Sequence, residues 1–281
     1  MPSYLLYIFV AIFGAMLGSF AAVIIYRAPL GISIIWPRSF CTACENKLKP
    51  WHNIPIISWL ALGGKCGFCK ASIGLRTIFI EILFALLAIT ILSKYGLNLV
   101  FIDKFIFCFL LICIAYIDMD YFFIPVFLLV LLTLFGFFSI SFYHFYPHYW
   151  HSLTVNWQFL PDIMQNKNFC IIDHILAALL GGAFFSLLNI FATMLLRKTG
   201  RLSSKQWAMG WGDPWLVFAI GLFVGLKALV LVVFLGSFLG SIVGILQKFF
   251  AKKIELDEDI AINSLPYGPF LAIAAIFIYL G

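Results

Sequence analysis

The sequence predicts an all-α polytopic membrane protein of about eight transmembrane helices, with a small cysteine-bearing polar domain between the first and second. Three observations predict it. The chain has 281 residues, of which 64% are hydrophobic and 11% charged, with a mean hydropathy of +1.07. Several apolar runs reach or exceed the roughly 18 residues that span a bilayer. The basic residues gather in alternate connections, as they do in multi-pass proteins.

Taken in order, Tyr4 to Tyr26 is the first spanning run, and its Gly14, Gly18 and Ser19 form a small-residue stripe suited to close helix packing. The N-terminus lacks a basic leader and a small-residue cleavage site, so this run is expected to be retained as a helix. Residues 27–76 are the long polar stretch, rich in Pro, Gly, Lys and Cys. Apolar runs follow at Ile78–Leu92, Phe101–Ile117, Phe122–Phe142 and Ile171–Leu196. The run from Trp215 to Leu246 exceeds one helix, and Gly221, Gly225 and Lys227 mark an expected break into two. Leu265–Leu280 is the last. The expected domains are 1–26 as an anchor helix, 27–76 as the polar domain and 77–281 as a seven-helix core.

Charge orients this arrangement. Fourteen of the 18 basic residues fall on one side under the eight-helix count, in the connections after helices one, five and seven. The opposite side receives Lys94, Lys104, Lys167 and Lys227. The positive-inside rule makes the richer side cytoplasmic and places both termini outside. The net charge of +6 is therefore topological and does not point to nucleic acid.

Cys41-x2-Cys44 and Cys66-x2-Cys69 lie within the polar domain. Two such knuckles on one short segment suit tetrahedral zinc, and a reducing cytoplasm disfavours disulfides. Cys108, Cys113 and Cys170 read as packing residues.

Ionisable groups at the membrane boundary are costly and usually functional. Gly210-Trp211-Gly212-Asp213 puts a carboxylate between small residues at the mouth of an apolar run. Glycines there leave the backbone open to close approach. Asp118 and Asp120 end the third run, two residues apart and so pointing differently; the sequence alone leaves open which is functional. Under the eight-helix count this pair and Asp213 reach the same cytoplasmic boundary. Two carboxylates brought together share a proton; the charged one activates water and the protonated one polarises a carbonyl. Glu81, early in the second run, reads equally as a functional acid or as an interfacial acid paired with Arg76. His144, His148 and His151 belong to an aromatic belt on the outer side, and Glu255–Asp259 to a solvated loop.

With these residues in place, the chain resembles the type IV prepilin leader peptidases, bifunctional aspartic peptidases and N-methyltransferases of pilus and type II secretion systems. The resemblance rests on Gly18-Ser19-Phe20 with Tyr26-Arg27 and Pro29, the four cysteines, and Asn53-Ile54-Pro55 with Ser58-Trp59-Leu60 and Gly64-Lys65-Cys66. It continues through the aspartate segment ending Ile124-Pro125, Gly210-x-Gly212-Asp213 and Leu265-Pro266-Tyr267-Gly268-Pro269-Phe270. It implies a catalytic pair of Asp118 and Asp213, with Asp120 as the second acid of the first motif. It also implies cleavage of a basic prepilin or pseudopilin leader at the cytoplasmic face of a bacterial inner membrane, then methylation of the new N-terminus from S-adenosylmethionine.

The chain departs from the family pattern at Ala22, Thr42, Thr77-Ile78, Val126 and Pro214-Trp215. Three of the five fall in the N-terminal third, which the family associates with methylation, so a peptidase without methyltransferase activity is the alternative enzyme. A proton- or cation-coupled transporter is the alternative from another class; it predicts acids near the midplane and repeated halves. The outer loop, residues 143–170, is longer than the family's usual one and is expected to serve a local partner.

Overall fold

The computed structural model describes residues 3–145, 167–200, 206–254 and 266–281. Most of the outer loop, His148, His151, Arg201, Lys205, the acidic run 255–259 and Leu265 lie outside them. The described residues form helices α1 (Ser3–Arg27), α2 (Ile57–Ala61), α3 (Leu75–Tyr95), α4 (Leu99–Tyr121), α5 (Val126–Phe145), α6 (Lys167–Lys198), α7 (Gly212–Ile254) and α8 (Gly268–Leu280). Five of them are long and apolar enough to cross a membrane, and α5 and α8 are shorter apolar helices.

α7 supplies the eighth membrane segment by doubling back. Its 43 residues contain Gly225 at φ 75°, ψ 173°, a conformation that glycine adopts without steric cost. Two contacts reveal the reversal. A Cβ on Gly181 of α6 would meet Val217 and Leu229 at once, at 3.0 and 2.6 Å. Twelve residues of straight helix would hold those two about 18 Å apart. Likewise Tyr267, which lies near Asp213, bonds Ser237 through its hydroxyl at 2.8 Å. The expected break is therefore a hairpin of two arms, 212–224 and 226–254. Gly221 serves packing instead: its backbone lies on Ala177 and Ala178 of α6.

The turn is capped from both sides by neighbouring residues of α6. His174 bonds the Leu222 carbonyl at 2.8 Å, and the Leu226 N–H donates to Asp173 at 3.1 Å. Each group meets a backbone atom that the interrupted ladder would leave orphaned, which an apolar surrounding makes costly.

Helix ends differ from the expected bounds for local reasons. The run Phe122–Phe142 does not start a helix at Phe122, because Phe122 sits at φ 54° and the next helix starts only after Pro125, at Val126. α4 correspondingly carries on through Asp118 and Asp120 to Tyr121. The last helix begins at Gly268, with Pro269 in its first turn.

The chain packs as two units, residues 1–109 and 110–281, with the boundary inside α4. In the first, Gly14 and Gly18 bring α1 onto α3: a Cβ on either would fall within 2.6–2.8 Å of Phe84 and Glu81 backbone atoms. The Phe84 ring packs at a tilt against Phe105 and Phe109 beside this contact. In the second, α7 lies between α6, α8 and α5, with Leu216, Val217, Ile220 and Val232 fully buried. This is an all-α polytopic membrane protein.

Candidate active and metal sites

Asp118 occupies the last turn of α4 and Asp213 the first turn of α7. Both are buried, at 6% and 9% exposure, and they lie close enough for the charge of Asp118 to act on Asp213. Asp120 is exposed, so the two acids of the α4 end separate, one toward Asp213 and one away.

The surroundings of the pair are built from backbone and one isoleucine. The Gly268 N–H, at the start of α8, donates to Asp118 Oδ2 at 3.0 Å. A Cβ there would sit 2.6 Å from that same oxygen, so only glycine lets the helix start come this near. Ile124 fills the space on the other side: its Cβ would be 2.9 Å from a Cβ on Gly212, and its Cδ1 3.5 Å from one on Gly268. Gly212 is thus occupied by a packing contact, while Gly210 meets nothing nearer than Asp213 Oδ2 at 3.8 Å. Tyr267 stacks on Phe185 at 5.9 Å and its hydroxyl is held by Ser237.

Gly268, Tyr267 and Ile124 were not singled out for this role by sequence reasoning. Their signal was the motif around Pro266 and Pro269 and the Ile-Pro ending of the aspartate segment. Nothing in either said which carboxylate they would meet.

Glu81 of α3 is buried at 5% exposure in the first unit. Its carboxylate accepts the Ile56 N–H at 2.7 Å and a bond from Ser19 of α1. Ile56 stands at φ 62°, ψ −52°, the centre of a three-residue turn in which the Ile57 N–H reaches the Pro55 carbonyl at 2.5 Å. That conformation is strained for a β-branched residue. Glu81 therefore ties the polar domain to the membrane helices by holding a strained turn.

The four cysteines converge. Their sulfurs all lie within 4.8 Å of one another, and Cys41 and Cys69 are 3.9 Å apart. Tetrahedral zinc with bonds of about 2.3 Å needs sulfurs about 3.8 Å apart, so the cluster fits. The two knuckles share one design. In each, the first cysteine's N–H bonds the residue five on (Asn46, Ala71) and its carbonyl accepts from the residue four on (Glu45, Lys70). Glu45 and Lys70 take φ 58° and 61° to turn the chain back. Backbone N–H groups of Cys69 and Phe68 bring the Cys66 thiol down to about 6, whereas Cys69, though the Ala71 N–H acts on it the same way, is pushed up to about 11 by the neighbouring sulfurs, so the four thiols share their protons unevenly. Cys108 and Cys113 are fully buried, as packing residues should be.

Comparison with known proteins places this geometry. Residues 12–95, which include the cysteines and Glu81, match the bacterial peptidase A24 N-terminal domain. Residues 105–245, which include Asp118 and Asp213, match the type IV leader peptidase family. The chain is 28% identical to a prepilin leader peptidase/N-methyltransferase of Pseudomonas aeruginosa, over 93% of this chain and 85% of that one. A protein of the same description from Myxococcus xanthus is 29% identical over 85% of this chain and 62% of its own. One from Legionella pneumophila is 25% identical over 96% and 90%. No solved structure matches the chain. A membrane helix bundle with two buried carboxylates at helix ends, preceded by a four-cysteine cluster and matched along both segments, belongs to the type IV leader peptidase family.

Proposed function

We propose that this chain cleaves the basic leader from type IV prepilins and pseudopilins with Asp118 and Asp213, and methylates the exposed N-terminus. The observation that carries the peptidase reading is the meeting of two buried carboxylates from separate helix ends, within a chain of this family. Two acids at one site cannot both ionise comfortably, so they hold one proton between them. The ionised carboxylate takes a proton from water as the oxygen attacks the scissile carbonyl; the protonated one donates to the carbonyl oxygen. Collapse of the tetrahedral species breaks the C–N bond, and a returned proton leaves with the new amine.

Gly268 holds Asp118 in place through its N–H, while Ile124 fixes the spacing of the α7 and α8 starts. The Gly210 carbonyl closes the turn that carries Asp213, and Asp120 stays outside the reaction. Under the charge distribution, the pair faces the cytoplasm of a bacterial inner membrane, with both termini outside. Residues 77–281 carry the peptidase and residues 27–76 belong to the methyltransferase part.

Cys41, Cys44, Cys66 and Cys69 would hold zinc, which would serve the fold of the polar domain and take no part in cleavage. S-adenosylmethionine, when bound, supplies the electrophilic methyl group. The relatives give no support to the transporter alternative.

The test is a synthetic prepilin read by product mass, which registers cleavage and a methyl increment separately. Asp118→Asn and Asp213→Asn should each cut cleavage by about 10²–10⁴-fold, since an amide can neither ionise nor share the proton. The double variant should be little worse than either single one, because the pair acts as a unit. Asp120→Asn should retain measurable cleavage. Near-normal cutting by Asp118→Asn would refute the assignment.

A further inference from the structure

The segment leading into Asp213 has no helix or strand of its own from residue 206 to 211, and its half-buried middle, Ala208 and Met209, lies against two fully buried polar side chains of α6. Backbone groups covered in this way need partners. α6 supplies them from one face, with three side chains spaced four apart. Asn189, 1% exposed, grips Met209 twice: its Nδ2 donates to the Met209 carbonyl and its Oδ1 accepts the Met209 N–H, both at 3.0 Å. Thr193, 2% exposed, accepts the Ala208 N–H at 3.0 Å and donates to Asn189 Oδ1 at 3.4 Å. Arg197 donates to the Gln206 carbonyl at 2.9 Å and lies 5.5 Å over the Trp207 ring.

An amide is the side chain that reproduces a peptide's own donor and acceptor, and here both are spent on one residue. From Met209 the path to the acid is short. The Asp213 N–H donates to the Gly210 carbonyl at 3.4 Å, closing the turn that carries the carboxylate. Fixing Met209 therefore fixes where α7 begins, and with it the depth of Asp213. Asp118 is set independently, from α8, by the Gly268 N–H.

We infer that Asn189, with Thr193 braced behind it, is a positioning residue for the peptidase: it sets the separation of Asp213 from Asp118. The inference rests on the peptidase reading above. It was invisible in the sequence, where Asn189 is a lone amide in an apolar run.

The experiment uses full-length protein in proteoliposomes with a synthetic prepilin, recording kcat, KM and the pH–rate profile. The variants are Asn189→Ala, Thr193→Val and Thr193→Ser. Ser186→Ala is the control, since Ser186 lies on the same helix and bonds Gly182 within it. A displacement near 1 Å costs on the order of 10²-fold. So Asn189→Ala and Thr193→Val should lower kcat about that far with KM little changed.

The two limbs of the pH profile should also move relative to each other, because their separation reports the coupling of the acids. A residue that merely supports the fold would lower the amount of active enzyme and leave the limbs in place. Thr193→Ser should recover most of the rate, and Ser186→Ala should match wild type. If Asn189→Ala does not fold, the Thr193 pair decides: loss in Val with recovery in Ser supports the inference, and equal rates overturn it. Wild-type kcat, or an unmoved pH profile at any rate, in the folded Asn189→Ala and Thr193→Val proteins also overturns it. Failure of the peptidase reading is distinct, appearing as a wild-type protein that does not cut or an Asp213→Asn protein that does.

Discussion

Replacing Gly268 with alanine should separate activity from stability. The added Cβ would stand 2.6 Å from Asp118 Oδ2 and 3.3 Å from its Cγ, with Ile124 Cδ1 closing the far side at 3.5 Å. Ordinary contact lies near 3.5 Å, so the oxygen must retreat by roughly 0.9 Å. That retreat stretches the 3.0 Å bond from the Gly268 N–H and moves the carboxylate itself. A misplacement of about 1 Å costs on the order of 10²-fold, or about 2.7 kcal/mol of barrier. Thermal stability should fall only modestly, by about 1–3 kcal/mol, the usual cost of overpacking a buried site, so the protein stays folded while cleavage is lost. Gly212→Ala presses on Ile124 at 2.9 Å and should lose less, about tenfold. Gly210→Ala meets its nearest neighbour at 3.8 Å and should cut normally. Cleavage rates of the three variants, beside their melting curves, test the ordering. A Gly268→Ala protein as fast as wild type, or a Gly210→Ala protein slower than it, would refute the reasoning.

Three further outcomes follow from the first unit. Cys44→Ser should release zinc and loosen residues 38–72 while the helices stay inserted, because a structural site of this kind supplies folding free energy; elemental analysis and hydrogen exchange read both, and zinc-free protein with a protected loop would contradict it. Glu81→Ala leaves the Ile56 N–H unsatisfied at a cost of about 1–3 kcal/mol, whereas Glu81→Gln keeps an acceptor; exchange at the Ile56 amide should accelerate in the first and change little in the second. For sidedness, a cysteine at exposed Arg38 should label from the cytoplasm and one at exposed Leu97 from outside. Labelling of position 38 from outside would invert the topology.

The helices were legible because apolar run length is a bulk property that needs no partner to be read. The cysteine cluster was legible for the opposite reason: all four thiols lie within a segment short enough for spacing alone to imply convergence. Asp118 and Asp213 could be brought to one boundary by charge counting, although nothing local said that Asp118 rather than Asp120 turns inward. The Gly268 bond was hidden because donor and acceptor stand 150 residues apart. Gly221 and Gly225 look alike in sequence, and only packing against Ala178 and Asp173 tells a contact glycine from a reversal. Phe122–Phe123 were read as helix because they are apolar, but Pro125 and the φ of Phe122 make them a turn. Ile56 gave no sign of strain, since β-branched residues are avoided, not enriched, where φ is positive.

The reversal at Gly225 also has a mechanical consequence. The first arm of α7 and α8 each hold thirteen residues, about 20 Å of helix, against a hydrocarbon layer of about 30 Å. Both start at the aspartate pair. Their neighbours do not stop there: α6 runs on from Asn189 to Lys198, about 13 Å further, and the second arm runs from Ser237 to Ile254, about 25 Å further. Two of the helices around the acids thus reach past the level at which the acids stand. If cleavage takes place at this pair, extended substrate chain at about 3.3 Å per residue covers the missing 10 Å in three residues. A pilin whose helix unravels readily by nearly a turn at the cleavage site should then be cut faster than one held helical there, which makes the ease of unravelling part of what the enzyme selects.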